Sequence, residues 1–182
     1  MTLSAMYTIT SSIFIHFGHH VRGHDGPCIS LHGHTWKFEI TVAAEELDNQ
    51  GFIVDFDKLQ ANVLDPCHQL LDHSLALGAA TWEETAKDLE TLGRTLVASR
   101  RETIGNLGEP QCALEGELLG ARNERPGGIK VSVFPFTPTS ERLAKWLFDV
   151  AQKRGADERV SIHSARVFET MHPTEFVAEY RP

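Results

Sequence analysis

Cysteine, tyrosine and basic residues are all scarce in this chain, and two of these shortages exclude something. Three cysteines in 182 residues, at positions 28, 67 and 112, are odd in number and scattered. They cannot form the paired framework of a small secreted protein, so reduced thiols and a cytoplasmic location are expected. Lys and Arg total 17 against 25 Asp and Glu, a formal net charge of −8. Nucleic acid is therefore not an expected partner, because sequence-neutral binding needs a basic face. No apolar run reaches the roughly 20 residues of a membrane-spanning helix. The start, Met1-Thr2-Leu3-Ser4-Ala5-Met6, lacks the basic-then-apolar pattern of a secretion signal. Internal repeats and low-complexity tracts are also missing. What remains is a composition 41% hydrophobic and 23% charged, which predicts one soluble domain with a sizeable core. An anionic small substrate stays possible, since a metal and a few local cations can dominate one pocket.

Histidine, by contrast, is plentiful. The stretch Gly23-His24-Asp25-Gly26-Pro27-Cys28-Ile29-Ser30-Leu31-His32-Gly33-His34 holds a thiol and three imidazoles, with His19 and His20 just upstream. Tyr7 to Phe17 reads as a strand interrupted by Gly18, and Gly23 to Pro27 as a loop. From Thr35 to Ala43 the alternation is clean, with Trp36, Phe38, Ile40 and Val42 on the buried face. Carried backward, that alternation puts His32 and His34 on the Trp36 face, where an unpaired imidazole is costly. A metal bound there removes the cost.

Further along, Asp48-Asn49-Gln50-Gly51 predicts a turn and Phe52-Ile53-Val54 a short strand. Asp55 caps a helix with Leu59, Val63, Leu70 and Leu71 as its apolar face, broken or restarted at Pro66. The segment ends in Leu71-Asp72-His73-Ser74. Ala79 to Arg101 reads as a helix through Trp82, Ala86, Leu89, Leu92 and Leu96, and Gly105 to Gly128 as a surface loop. Ile129 to Phe136 is a strand, and Thr139 or Ser140 caps a helix to about Arg154, stopped by Gly155. Val160 to Glu169 and Glu175 to Tyr180 close the chain as strands. The order indicates an α+β domain.

Catalytic zinc takes three protein ligands and keeps its fourth position open. His32 and His34 supply two, and either His19 or His20 a third. His16, His24, His68, His163 and His172 are read as ordinary structural residues. Cys28 has three readings: metal ligand, nucleophile or base, or inert residue. A loop position beside a dication lowers a thiol pKa and favours thiolate. Cys67 and Cys112 are read as inert. Asp72 beside His73 is a way to build a proton relay, or a helix-end feature. Glu169, on an apolar strand between Phe168 and Thr170, needs a partner such as a ligand with adjacent N–H donors.

Taken in order, these pieces resemble the 6-pyruvoyltetrahydropterin synthase and 6-carboxytetrahydropterin synthase family. The matching segments are Gly23 to His34, Phe52-Ile53-Val54-Asp55-Phe56, Leu71-Asp72-His73, Pro138-Thr139-Ser140-Glu141 with Leu143-Ala144-Lys145-Trp146, and Val167-Phe168-Glu169-Thr170. The likeness covers residues 7–78 and 129–180. It implies the tunnelling fold, a four-stranded antiparallel sheet with two helices on one face, in one domain spanning 1–182 with an insertion at about 79–128. It implies zinc held by His19, His32 and His34, Cys28 as proton abstractor, Asp72 and His73 as relay, and Glu169 on the pterin's pyrimidine edge. Homo-oligomers, trimers paired as hexamers with active sites between subunits, follow from the same likeness.

The Cys-x3-His-x-His spacing is similar to the 6-carboxytetrahydropterin branch, which serves queuosine and other deazapurine biosynthesis. The implied reaction converts 7,8-dihydroneopterin triphosphate to 6-carboxy-5,6,7,8-tetrahydropterin with loss of triphosphate and acetaldehyde. The alternatives are the pyruvoyl-forming synthase and a lyase releasing the side chain, although Cys28 to His34 lacks the Glu that such lyases tend to carry. Outside the enzymes stand a zinc-bearing protein that binds a pterin or purine without turnover, and a structural zinc with Cys28 as fourth ligand. The insertion after His73 is longer than the connection the family commonly has there.

Overall fold

The computed structural model describes residues 6–104, 113–170 and 175–182. In chain order these form β1 (Tyr7–His19), β2 (His32–Ala44), α1 (Phe56–Leu59), α2 (Asp65–Leu71), β3 (Leu75–Gly78), α3 (Ala79–Ile104), β4 (Glu117–Leu118), β5 (Ala121–Glu124), β6 (Val131–Phe134), α4 (Ser140–Gly155), β7 (Ser161–Thr170) and β8 (Phe176–Tyr180). The class is α+β, as expected. The sheet is larger than the expected four antiparallel strands: hydrogen bonding runs β4-β5-β6-β3-β1-β2-β7-β8, with β3 parallel to both β1 and β6. Cys112, His172 and residues 105–112 of the expected insertion lie outside the described residues. Among the described residues no helix is long and apolar enough to cross a membrane.

Two compact units divide the chain, and β1 and β2 run through both. The first comprises Met1–Ile15, Thr35–His68 and Thr139–Pro182. Here β2 pairs antiparallel with β7, from Lys37 opposite Phe168 to Ala43 opposite Ser161, and β7 pairs with β8. Trp36, Phe38, Ile40 and Val42 are fully buried, as their alternation predicts. α4 packs on β7 and β8 and buries Leu143, Leu147 and Val150, each worth roughly 1.5–3 kcal/mol over leaving it exposed. Thr139 caps it, accepting from Arg142 N. The other face of β2 is not simply solvated. Glu39 is buried there, and Arg166 Nε donates to it at 2.6 Å while Lys37 Nζ lies 3.2 Å away. A buried carboxylate persists only when so paired.

One prediction in this unit needs correction, and the alternatives at Pro66 are resolved. Phe52-Ile53-Val54 is not a strand. Its backbone groups are committed elsewhere: Phe52 N donates to Asp48 Oδ1, and Arg159 donates to Ile53 O at 2.5 Å. At Pro66 the helix restarts and does not break, α2 beginning at Asp65. Gln60–Leu64 forms a π-helical turn between α1 and α2, and this wider turn accommodates the missing proline N–H within one continuous helical run. Asp55 caps the run, accepting from Asp57 N at 2.9 Å.

The second unit comprises His16–His34 and Gln69–Pro138. Gly18 does not end β1, which continues to His19 through pairing with Leu75 and Ala76. A Cβ on Gly18 would lie 3.1 Å from His32 O, so glycine lets the two strands approach closely here. The sequence gives no warning of β3, because a strand covered on both faces has no alternation. Leu77, Leu89, Val131 and Val133 form a core against which Leu75, Ala79, Trp82 and Ile129 pack. α3 is thereby fixed on β3 and β6. Where a surface loop was predicted, residues 117–124 form a hairpin. Its turn residues Leu119 and Gly120 both have positive φ, 48° and 78°, the requirement of a tight two-residue turn.

Candidate active site

Four parts of the second unit carry all the chemistry-bearing residues but Glu169. The end of β1 supplies His19 and the start of β2 supplies His32 and His34. Their ring centroids lie 4.5 Å (His19–His32), 5.6 Å (His19–His34) and 5.0 Å (His32–His34) apart. Within this unit each offers a ligand nitrogen within 4.8 Å of the other two, and neither His20 nor Cys28 belongs with them. The i, i+2 spacing of His32 and His34 brings both to one face of the strand, as the alternation predicts.

Hydrogen bonding fixes how two of these rings present themselves. His19 Nδ1 lies 2.9 Å from the carbonyl of Pro138, and His32 Nδ1 lies 2.8 Å from the carbonyl of Ser30. A carbonyl only accepts, so both Nδ1 atoms carry the proton. In the neutral tautomer both Nε2 atoms are then bare lone pairs, and they face each other at 3.1 Å. Two acceptors at that distance repel unless a cation lies between them or one ring protonates. Imidazoles oriented through Nδ1–H by carbonyl partners are the arrangement found behind metal-binding Nε2 atoms. The three imidazoles that this unit offers suit zinc. The residues fit such an ion.

Cys28 sits in a single 3-10 turn, Pro27–Ile29, and is half-buried. Three successive carbonyls of this turn are occupied. Val21 N donates to Cys28 O at 2.8 Å, His20 Nδ1 to Ile29 O at 3.1 Å, and His32 Nδ1 to Ser30 O. The loop between β1 and β2 is therefore built around the cysteine and tied directly to one candidate ligand. His20 is turned to this use and, through Nε2, lies 3.1 Å from Thr81 Oγ1. Arg22, in the same loop, makes a two-pronged ion pair with Glu84 of α3, one arm at 2.7 Å. That hydrogen bond holds the Glu84 carboxyl below its ordinary value and raises the guanidinium. Cys67 is a different thiol, fully buried, and burial pushes its pKa up. It is inert, as read from the sequence.

Asp72 and His73 follow α2. His73 Nδ1 donates to Asp72 Oδ2 at 2.6 Å, which leaves Nε2 as the nitrogen that can exchange a proton. His73 occupies the left-handed region at φ 54°, an uncommon conformation for a non-glycine residue. It is pinned there: His73 N donates to His16 O, His16 N donates to Asp72 Oδ1 at 3.1 Å, and Lys130 Nζ donates to Asp72 O. In the sequence His16 reads as an ordinary structural residue, and no motif singles out Lys130 or Thr81. Their partners lie 57, 58 and 61 residues away, and no local pattern announces such pairings. The His73 side chain is 81% exposed. Glu169 stands in the first unit, half-buried near the end of β7.

Comparison with known proteins extends these observations. A family model described as 6-pyruvoyl tetrahydropterin synthase matches residues 8–181. A 6-carboxy-5,6,7,8-tetrahydropterin synthase from Haemophilus influenzae is 27% identical over 179 residues, 97% of this chain and 99% of that one. One of the same description from Rickettsia bellii is 38% identical over 72 residues, which cover 40% of this chain and 52% of that one. Among solved structures, an uncharacterized protein from Wolinella succinogenes shares the fold at a TM-score of 0.67 and 22% identity, covering 98% and 99% of the two chains. The 6-pyruvoyl tetrahydropterin synthase of Caenorhabditis elegans does so at 0.55 and 15%, covering 100% and 99%.

Proposed function

The chain belongs to the 6-pyruvoyl tetrahydropterin synthase family, and from that premise we propose that it converts 7,8-dihydroneopterin triphosphate to 6-carboxy-5,6,7,8-tetrahydropterin, releasing triphosphate and acetaldehyde. The observation that carries this reading is the pair of carbonyl-oriented imidazoles whose Nε2 atoms meet at 3.1 Å, one of them bonded to the Cys28 loop through Ser30 O, in the unit that also holds the Asp72–His73 pair. The names of two relatives, one matched over 97% of the chain and the other over 40%, support the choice of product. So does the Cys28-x3-His32-x-His34 spacing. The product then belongs to the deazapurine, queuosine-type branch of pterin use.

In this reading His19, His32 and His34 hold zinc. The bound ion supplies Lewis-acid polarisation of the substrate's side-chain hydroxyls, which acidifies the neighbouring C–H and O–H groups. Cys28, as thiolate, takes a carbon-bound proton. His73, with Nδ1–H committed to Asp72, takes up and returns protons at Nε2; a relay of this kind contributes typically about 10²–10⁴-fold. The Glu169 carboxylate accepts hydrogen bonds from the pyrimidine-edge N–H groups of the pterin, a bidentate, charge-assisted recognition. Residues 79–128 are read as an insertion into a single synthase domain.

The exposure of His73 fits a site completed by another subunit. Phe176 and Val177 on the outermost strand β8 are 61% and 46% exposed. An edge strand of that kind is commonly covered by pairing, in keeping with a trimer or hexamer.

Incubating the purified, metal-loaded protein with 7,8-dihydroneopterin triphosphate and identifying products by mass spectrometry tests the assignment. The expected result is a 6-carboxy product together with acetaldehyde. A pyruvoyl product would transfer the chain to the other branch, and no turnover would overturn the enzymatic reading in favour of a zinc-bearing pterin- or purine-binding protein.

A further inference from the structure

We propose that α3 is a brace for the cysteine turn and that Thr81 and Glu84, both on its first turns, are positioning residues for Cys28; this rests on the reading of Cys28 as the proton abstractor.

Two independent bridges join the helix to the loop. The first is a relay through His20. Its Nδ1 donates to Ile29 O, the carbonyl directly after Cys28. Its Nε2 in that tautomer is an acceptor, so the Thr81 hydroxyl at 3.1 Å is the donor. Thr81 is buried, and an unmade hydrogen bond there would be costly. The second bridge is the two-pronged pair between Arg22 and Glu84. An isolated exposed ion pair contributes little to stability, but a fork-to-fork pair fixes orientation as well as distance. Besides the tie to His32 through Ser30 O, the loop's own bonds close it on itself around Cys28. Val21 N reaches Cys28 O, and His24 Nδ1 accepts from Gly26 N.

The brace needs a rigid base, and α3 has one. Trp82 and Leu89, on the same helix as Thr81 and Glu84, pack into the core formed with Leu77, Val131 and Val133. Further along, α3 meets the turn Pro126–Gly128 backbone to backbone. A Cβ on Gly93 would lie 2.2 Å from Pro126 O, and one on Gly127 2.3 Å from Glu90 O. Glycine at both positions permits the approach and leaves the helix little freedom to shift. The geometry therefore gives the residues after Asp72–His73 a task. They hold the thiol at a set place relative to His32, which shares the turn through Ser30 O.

Two variants and one chemical probe test this. In Thr81→Val the hydroxyl donor is lost at nearly constant volume, and in Glu84→Gln one charge is lost at an exposed position. The expected result in each is a kcat lowered by about tenfold or more, since small misplacements of a reacting group carry large rate costs. KM and zinc content should change less than about twofold, and Thr81→Ser should restore kcat, which a bulk stability defect would not allow. Alkylation of Cys28 by iodoacetamide, followed by peptide mass spectrometry, reads the turn without any turnover, and both variants should react at a rate changed by at least about threefold, as fits a thiol whose reactivity is set by its surroundings. If wild-type protein turns nothing over but the variants still change Cys28 alkylation, the brace stands and the catalytic assignment falls. If kcat and alkylation are both unchanged in Glu84→Gln and in folded Thr81→Val, the brace is overturned.

Discussion

Cys28→Ala lowers turnover by at least about 10²-fold, the low end of what a positioned acid or base contributes, while the protein keeps its full complement of zinc. The half-buried Cys28 stands in a turn whose carbonyls are committed to Val21, His20 and His32. Nothing in that framework depends on its thiol, so alanine removes the sulfur and leaves the turn. The grouping of His19, His32 and His34 without Cys28 is why zinc should stay. Zinc measured by plasma emission alongside initial rates separates the two outcomes. Loss of zinc together with activity would make the thiol a ligand and would support a closed, structural site. Retained activity would remove Cys28 from the chemistry.

His32→Ala empties the metal site, His19→Ala does the same, and His20→Ala does not. Deleting a direct ligand should weaken metal binding by more than the roughly 10–100-fold that attends loss of an outer hydrogen-bond partner. The two neighbouring histidines separate because their Nδ1–H groups serve different carbonyls. His19 donates to Pro138 O and turns Nε2 toward His32, whereas His20 donates to Ile29 O and turns Nε2 toward Thr81. β1 ends at His19, and of the two rings it is His19 that groups with His32 and His34. Competition with a chromophoric zinc chelator measures each affinity. A wild-type affinity in His19→Ala with a large loss in His20→Ala would reverse the assignment.

The sequence exposes what is periodic and local in this molecule. The alternation of Trp36, Phe38, Ile40 and Val42 gave β2 its buried face, and its backward extension put His32 and His34 together. Caps at Asp55 and Thr139 marked the helix starts because a side-chain oxygen accepting from a first-turn N–H is a local event. β3 was invisible, since Leu75-Ala76-Leu77-Gly78 is apolar throughout and too short for a period to appear. The hairpin at 117–124 was hidden by charged strand residues, and only Leu119-Gly120 hinted at a turn. Pro66 marked a restart and not a break, because a π-helical turn carries the missing N–H within one helical run.

In the site, the Asp72–His73 pair was legible because its members are adjacent. The groups that hold it, His16 and Lys130, were not, and neither was the brace from Thr81 to His20. Long-range contacts of this kind depend on which elements the sheet brings side by side. The His19 or His20 question has the same origin. Sequence spacing alone leaves two candidates, and the carbonyls that each ring meets separate them.

Zinc K-edge X-ray absorption on the metal-loaded, substrate-free protein tests the division of labour between the histidines and Cys28 most directly. The expected first shell contains only nitrogen and oxygen scatterers at about 2.0–2.1 Å, with imidazole features from three rings. A sulfur scatterer at about 2.3 Å would place a cysteine on the metal and contradict the account.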